Sequence, residues 1–255
     1  MAAISGVSSQ NNMMYSQIAS GKRINSAADD AAGLTIAQKM TSQETGLTVG
    51  SDNAKDGRSL LNVADGALGQ MTDSLQRIYE LGMKAKNGLN TGEELGAIQS
   101  EVDQLLSDIE GIGKNTEFNT MKILDGSQGD INLATKPDGS GQSIRMVSAT
   151  LENLGIDGFD VTKDFDLDRI TNAIDKVSEA RSSMGAQTNA LESAIRYNDY
   201  AAENTLASRS RLEDLDMAKA ISAQKKNEVL NQYQLMMQRR QQQNEQNSMM
   251  GLFRF

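Results

Sequence analysis

The stretch Leu47–Ala85, LTVGSDNAKDGRSLLNVADGALGQMTDSLQRIYELGMKA, decides the fold of this chain. Small and apolar residues recur along it at alternating steps of three and four, which is the 3.5-residue period of a coiled-coil seam. A helix beginning near Met40 and ending at Ala85 would be roughly 70 to 80 Å long. A compact chain of this size is only about 40 Å across. The pattern therefore predicts an elongated bundle. This first seam consists of Leu47, Gly50, Ala54, Gly57, Leu61, Ala64, Leu68, Met71, Leu75, Ile78, Gly82 and Ala85.

Two further seams follow along the chain. The first seam is interrupted at Asn87-Gly88 and Thr91-Gly92. Because this break is short, the helix after it is predicted to be an antiparallel neighbour of the first. The predicted fold class is mainly α, an elongated antiparallel coiled-coil-like helix bundle. The second seam is Leu95, Ile98, Val102, Leu105, Ile109 and Ile112, and the third is Ile170, Ile174, Val177, Met184, Leu191 and Ile195.

The middle of the chain, residues 118–165, has a different pattern. MKILDGSQGDINLAT (121–135) contains Gly-rich turns at Asp125-Gly126 and Gln128-Gly129, so it predicts two short strands. SIRMVSA (143–149) alternates as a third strand, and Pro137 falls in the turn between them. The segment is too short for a full additional domain. It predicts a small β-hairpin region on the bundle.

Composition excludes several classes of function. The 255 residues include no His, Cys or Trp, so the usual zinc sites and nucleophilic triads are absent. The net charge of −9 argues against a nucleic-acid partner, and 4% aromatic content is little for lining a pocket. The carboxylate pairs Asp29-Asp30 and Glu93-Glu94 are weak catalytic candidates, because adjacent helical side chains diverge by about 100°. We expect no enzyme activity, no cofactor and no metal.

The sequence shows neither a common secretory signal nor a membrane-spanning stretch, so an exported chain would use another route. Met1–Gly21 carries no charged side chain, so it lacks the positive region of a secretory signal. No stretch approaches the ~20 continuous apolar residues that a membrane-spanning helix needs. The sequence therefore predicts no membrane insertion.

Charged segments lie near both ends of the chain, at Lys22–Asp30 and Ser208–Asp216. Each separates a terminal helical pattern from a long seam, so the same order of helix, charged segment and seam is found when the sequence is read inward from either end. Such a mirror is expected when a chain doubles back and its ends lie together, with the N- and C-terminal helices paired. The expected pairs join Lys22 and Arg23 to Glu213, Asp214 or Asp216, and Arg209 and Arg211 to Asp29 or Asp30.

Five stretches cover most of the chain and leave only about 130–165 unassigned: SGKRINSAADDAAGLTIAQKM (20–40), LQRIYELGMKAKNG (75–88), TEFNTMKIL (116–124), RSSMGAQTNALESAI (181–195) and SRSRLEDLDMAKAIS (208–222). These stretches resemble the motifs of bacterial flagellin. They keep the order of the family's motifs, so chance similarity is excluded.

The resemblance implies a short, core-only flagellin without variable outer domains. In that organisation Lys22–Asp30 and Ser208–Asp216 are interdomain linkers. The segment before Ser20 is shorter than the usual flagellin front, so we expect a shortened N-terminal helix. The implied domains are an N-terminal inner-core helix and linker (1–32), outer-core helices (33–117), a small β region (118–165), the outer-core C-terminal helix (166–211), and a linker with the C-terminal inner-core helix (212–255).

The resemblance also implies a function, that of a secreted structural subunit polymerising into the helical, extracellular flagellar filament used for motility. A head-to-tail contact that does not close generates such filaments. The implied partners are further copies of the chain, the flagellar export apparatus, an export chaperone, and the filament cap and junction proteins. The alternatives are a hook–filament junction (hook-associated) protein, which has a similar terminal organisation, and a generic coiled-coil adaptor.

A host receptor is a further implied partner. Flagellin monomers are sensed by a Toll-like receptor through a Leu-Gln-Arg-x-x-Glu-Leu pattern. Leu75 lies on the first seam and is expected in the core, whereas Arg77, Glu80 and Leu81 lie off it and are expected to face outward. Tyr79 stands where many family members carry Arg, so we expect altered signalling. The matching positions are Leu75, Gln76, Arg77, Glu80 and Leu81, with Asp108 on the next helix.

Overall fold

The computed structural model describes residues 13–252, with side chains up to residue 247. The front of the predicted shortened N-terminal helix lies outside the described residues. The helices are α1 (13–20), α2 (Ala27–Ala85), α3 (Gly92–Asn115), α4 (Leu151–Leu154), α5 (Asp168–Glu213) and α6 (Met217–Leu252). The strands are β1 (Glu117–Phe118), β2 (Met121–Lys122), β3 (Ile131–Ala134) and β4 (Gly141–Ile144).

The chain forms two compact units. One contains Met1–Ser42 and Glu203–Phe255, and the other contains Gln43–Ala202. The second unit holds one continuous hydrophobic cluster drawn from α2, α3, α5 and the β region. The mainly α fold class with a small β-hairpin region is confirmed. None of the helices in the described part of the chain is long and apolar enough to span a membrane.

The predicted seams form the core of the second unit. Every residue of the first seam is buried, as are Ile98, Val102 and Ile109 of the second. Leu105 of the second seam is only half-buried while Leu106, outside the seam, is buried, because a straight helix drifts away from a strict 3.5-residue repeat. The third seam is buried except for half-buried Ile174.

The β region consists of two separate antiparallel hairpins, β1–β2 and β3–β4. The predicted turn at Pro137 is confirmed, since it joins β3 to β4. Only the first two residues of the predicted strand SIRMVSA (143–149) lie in a strand, because β4 ends at Ile144. The reason lies in the hydrogen bonds, because the Arg145 N–H donates to Gln187 Oε1 at 2.9 Å and the Ala149 N–H donates to Leu124 O at 2.8 Å.

The β3–β4 hairpin packs directly on the backbone of α2 and on α5. A Cβ added at Gly50 would lie 2.5 Å from Thr135 O, so only glycine permits this approach. Asn53 Nδ2 donates to Ala134 O at 2.8 Å, and buried Asn198 Nδ2 donates to Thr135 O at 2.8 Å. Gly50 of the first seam therefore packs against a carbonyl group of the hairpin rather than against a side chain of another helix.

Candidate functional site

The two charged segments Lys22–Asp30 and Ser208–Asp216, together called the terminal joint, lie side by side in the first unit. Lys22 and Asp214 form an antiparallel β-bridge. The Arg23 N–H donates to Glu213 O at 2.7 Å, and the Leu215 N–H donates to Gly21 O at 2.9 Å. Gly21 has φ +70, a conformation that favours glycine. The backbone therefore fixes the register between the two ends of the described chain.

Side chains add charge pairing to the terminal joint. Lys22 Nζ lies 2.7 Å from Glu213 Oε1, and the Glu213 side chain is only 12% exposed. The guanidinium of Arg23 donates to Leu212 O at 2.7 Å. Ile24 is buried next to these groups. The combination of one apolar residue with flanking ionic contacts gives the joint a defined geometry.

The adjacent carboxylates Asp29 and Asp30 serve as helix-start residues. Asp29 Oδ2 accepts the N–H groups of Asn25 at 3.0 Å and Ser26 at 2.9 Å, and these bonds lower the pKa of Asp29. Asp30 has extended backbone angles inside α2, and its Oδ1 accepts the Gly33 N–H at 2.8 Å. Asp30 thus acts as an N-cap for the long part of α2.

The arginines of the second charged segment contact hydroxyl groups. Arg209 Nη1 donates to Thr41 Oγ1 at 2.9 Å, and Arg211 Nη2 donates to Ser208 Oγ at 3.2 Å. Asp29 and Asp30, the partners expected for these arginines, accept backbone N–H groups at two successive helix starts. Orphan N–H groups at a helix start attract short carboxylates strongly, and this demand occupies both aspartates.

The receptor candidates divide between surface and core. Arg77 is exposed and contacts Glu101 of α3 at 2.7 Å and Glu80 at 3.1 Å. Hydrogen bonds to Glu101, which has the larger effect, and to Glu80 raise the pKa of Arg77 above its ordinary value. Gln76 and Asp108 are exposed as well. Arg77 thus lies in an exposed three-residue ion network between two helices.

Leu75 and Leu81 lie in the core. The burial of Leu75 agrees with its position in the first seam. The prediction that Leu81 faces outward is wrong, since it is only 3% exposed. Because α2 packs in a core shared with α3, α5 and the β region, it buries a wider stripe than a single seam. Leu60 is buried outside the first seam for the same reason.

Helix α6 presents its apolar residues to solvent. Val229, Tyr233 and Met236 are each at least 60% exposed. Among the described side chains of α6, only Ala220 is buried. The contact that α6 makes within its own unit includes the Tyr15 hydroxyl of the first helical segment, which donates to Glu228 Oε1 at 2.9 Å. The two terminal helices are therefore paired, with most of the α6 surface uncovered.

Two polar contacts in the second unit have no clear signal in the sequence pattern. Arg181 of α5 lies 2.9 Å from Asp65 of α2. Gln99 accepts the Val161 N–H at 2.6 Å and donates to Phe159 O at 3.2 Å. The side-chain amide thus satisfies two backbone groups of the loop, as the backbone of a neighbouring strand would. Among the residues that the structure describes, no group of three or more carboxylates is placed to hold a metal ion.

Comparison with known families accounts for this arrangement. The bacterial flagellin N-terminal helical region matches residues 2–129, and the bacterial flagellin C-terminal helical region matches residues 167–251. The chain belongs to the bacterial flagellin family. The two matched regions contain both halves of the terminal joint and all three seams.

Individual relatives agree with the family assignment. A flagellin of Halalkalibacterium halodurans is 37% identical over 88% of this chain and 85% of its own length. A flagellin of Bacillus subtilis is 35% identical over 88% of this chain and 86% of its own length. This flagellin is therefore a structural subunit of the flagellar filament, without large inserted domains relative to these proteins.

Solved structures show the same fold. The Bacillus cereus flagellin matches with a TM-score of 0.53 and 25% identity, covering 58% of this chain and 89% of that chain. A flagellar hook-associated protein from Vibrio parahaemolyticus matches with a TM-score of 0.62 over 73% of this chain and 100% of that chain. Its identity is only 12%, so the second likeness concerns the fold alone.

Proposed function

We propose that this flagellin polymerises through the exposed apolar side chains of α6, forming the exported homopolymer that drives motility. The observation that carries the proposal is the uncovered series Val229, Tyr233 and Met236, at steps of four and three. This spacing places the three side chains on one face of the helix. A long helix with an uncovered apolar face requires a partner.

The terminal joint supports this assembly by holding the end of α1 beside the start of α6. The bridge between Lys22 and Asp214 fixes where α6 begins relative to the front of the chain. Individual exposed ion pairs contribute only about 0.2–1 kcal/mol. The role of the joint is therefore to set geometry, with a smaller contribution to stability.

The test uses the full chain with Val229→Asp and Met236→Asp together. Seeded polymerisation is followed by electron microscopy, and helix content is followed by circular dichroism. The matched control is Gln234→Asp with Gln238→Asp, two exposed polar positions on the opposite face of the same helix. We expect the double variant to stay monomeric and the control to form filaments. Normal filaments from the double variant would contradict the proposal.

Further partners follow from the same proposal. A filament subunit that is secreted requires the flagellar export apparatus and an export chaperone, and it meets cap and junction proteins at the filament ends. The junction-protein alternative has no observation in its favour beyond the shared fold. Pull-down of the purified chain with each of these proteins tests the partners one by one.

Recognition of the monomer by a host Toll-like receptor remains a proposal centred on Arg77. Its guanidinium is half exposed between α2 and α3, and an arginine in such a place is a favoured anchor of binding energy. We expect Arg77→Ala to weaken receptor binding by about tenfold. The matched control is Lys55→Ala, because Lys55 also forms an exposed ion pair on α2, with Asp52 at 3.0 Å. Equal binding by the two variants would refute the site.

A further inference from the structure

The tyrosines of this chain lie on its surface. All 5 tyrosines are at least 38% exposed, while the core is built from aliphatic residues, methionine and phenylalanine. Tyr15 lies in α1, and Tyr233 belongs to the exposed α6 face. Tyr197 and Tyr200 are the most exposed of the set, at 69% and 71%. Neither the receptor pattern nor the terminal joint explains these two residues.

Tyr197 and Tyr200 share one face of α5. They are three residues apart, so their rings are neighbours on the helix surface. The opposite face carries buried Leu191, Ile195 and Asn198, which attach the helix to the core. The rings therefore project from the side of α5 that its own unit leaves open. Together with the small residues around them, they form a tyrosine patch, consisting of Ser193, Ala194, Tyr197, Tyr200 and Ala201.

The tyrosine patch carries no formal charge in a strongly acidic chain. Copies with a net charge of −9 repel one another wherever acidic surfaces meet. Two of the charged residues next to the patch have partners, since Arg196 lies 3.6 Å from Glu192 and Asp199 accepts the Ser51 hydroxyl at 2.6 Å, and exposed Glu203 lies at the edge of the patch. An uncharged face with two aromatic rings thus suits a second copy of this chain. Half-buried Ala194 and Ala201 allow close approach.

We infer that Tyr197 and Tyr200 anchor a contact between two copies of this flagellin in the filament. Tyrosine supplies a large apolar ring and a polar hydroxyl, and it is among the residues that dominate binding energy at interfaces. The inference rests on the chain being a filament subunit, and it adds a contact on α5 to the one proposed on α6. The two contacts lie on different helices and can be tested separately.

The first experiment compares monomer and filament of the unmodified chain by nitration with tetranitromethane, followed by peptide mass spectrometry. A spiked tyrosine peptide normalises the reagent in both samples. We expect nitration of Tyr197 and Tyr200 to fall on the order of tenfold in the filament, because neighbouring contacts exclude water from such anchors. Equal nitration in the two states would overturn the inference.

The second experiment measures the critical concentration for seeded polymerisation. We expect Tyr197→Asn with Tyr200→Asn to raise it about tenfold, while Tyr197→Phe with Tyr200→Phe keeps it within about twofold because the rings remain. Circular dichroism checks that both double variants fold. An unchanged critical concentration for the Asn variant would also overturn the inference. Failure of the unmodified chain to polymerise would instead contradict the proposed function.

Discussion

Replacing Gly50 with alanine tests how the β3–β4 hairpin is held. The new Cβ would lie 2.5 Å from Thr135 O, about 0.9 Å short of ordinary contact. The obstacle is a backbone carbonyl group rather than the end of a flexible side chain, so the hairpin itself has to move. Such a shift stretches the hydrogen bonds from Asn53 to Ala134 O and from Asn198 to Thr135 O.

The expected cost follows from these contacts. Overpacking of this kind costs about 1–3 kcal/mol. A buried amide such as that of Asn198, when left without its acceptor, costs a further 1–3 kcal/mol or so. Alanine regains about 1 kcal/mol of helix propensity. We therefore expect Gly50→Ala to lower the free energy of unfolding of the second unit by about 3 kcal/mol.

Urea unfolding monitored by circular dichroism measures this change, and hydrogen exchange locates it. The matched control is Gly66→Ala on the same helix, where a Cβ meets nothing within 4 Å. It should gain about 0.5–1 kcal/mol, since only helix propensity changes. The amides of β3 and β4 should exchange faster in Gly50→Ala alone. If the two variants were equally stable, the packing argument would be refuted.

Three further predictions concern the rest of the chain. Glu213→Ala should destabilise the first unit by about 1 kcal/mol, because it removes the partner of Lys22; thermal unfolding measures this, and an unchanged midpoint would contradict it. The pKa of Asp160 is lowered to about 2, first by its hydrogen bond to Lys163. Since the folded pKa lies below the unfolded value, the contribution of Asp160 to stability is present above about pH 4 and is lost as the pH falls toward 2. Asp160→Asn should therefore reduce the change in the free energy of unfolding between about pH 4 and pH 2. An identical pH dependence in the variant and the unmodified chain would refute the assignment. Removing the chain from Ala218 onward should leave a helical protein that fails to polymerise in seeded microscopy, and filaments from it would contradict the role of α6.

The extent of sequence prediction can be judged from particular residues. The first seam is predictable because burial imposes a period, and every position from Leu47 to Ala85 in that period is buried. Leu81 is not predictable in this way, since its burial depends on how many neighbours α2 has. A single periodic stripe describes contact with one helix, whereas the core also includes α5 and the β region.

The terminal joint shows a similar division. The meeting of its two charged segments follows from the mirrored order of patterns at the two ends. Its individual pairings do not, because Asp29 and Asp30 are equally suited to arginine and to free N–H groups at a helix start. The period of the third seam places Asn198 on the buried face of α5, one step after Ile195, but it does not indicate that the amide holds the hairpin. Its partner is a carbonyl group 63 residues away in the chain.

The contact between Ser51 and Asp199 has a consequence for the order of folding. The two residues are separated by 148 positions, whereas Arg77 and Glu101 are separated by only 24. Closing a long loop costs more conformational entropy before any contact repays it, so the corner between α2 and α3 should form early. The first half of α2 is covered only later, when α5 packs against it. Until then its stripe of small and apolar residues is exposed to solvent. A partly folded chain in which the α2–α3 corner has already formed would thus be most prone to aggregate near Leu47–Ala54.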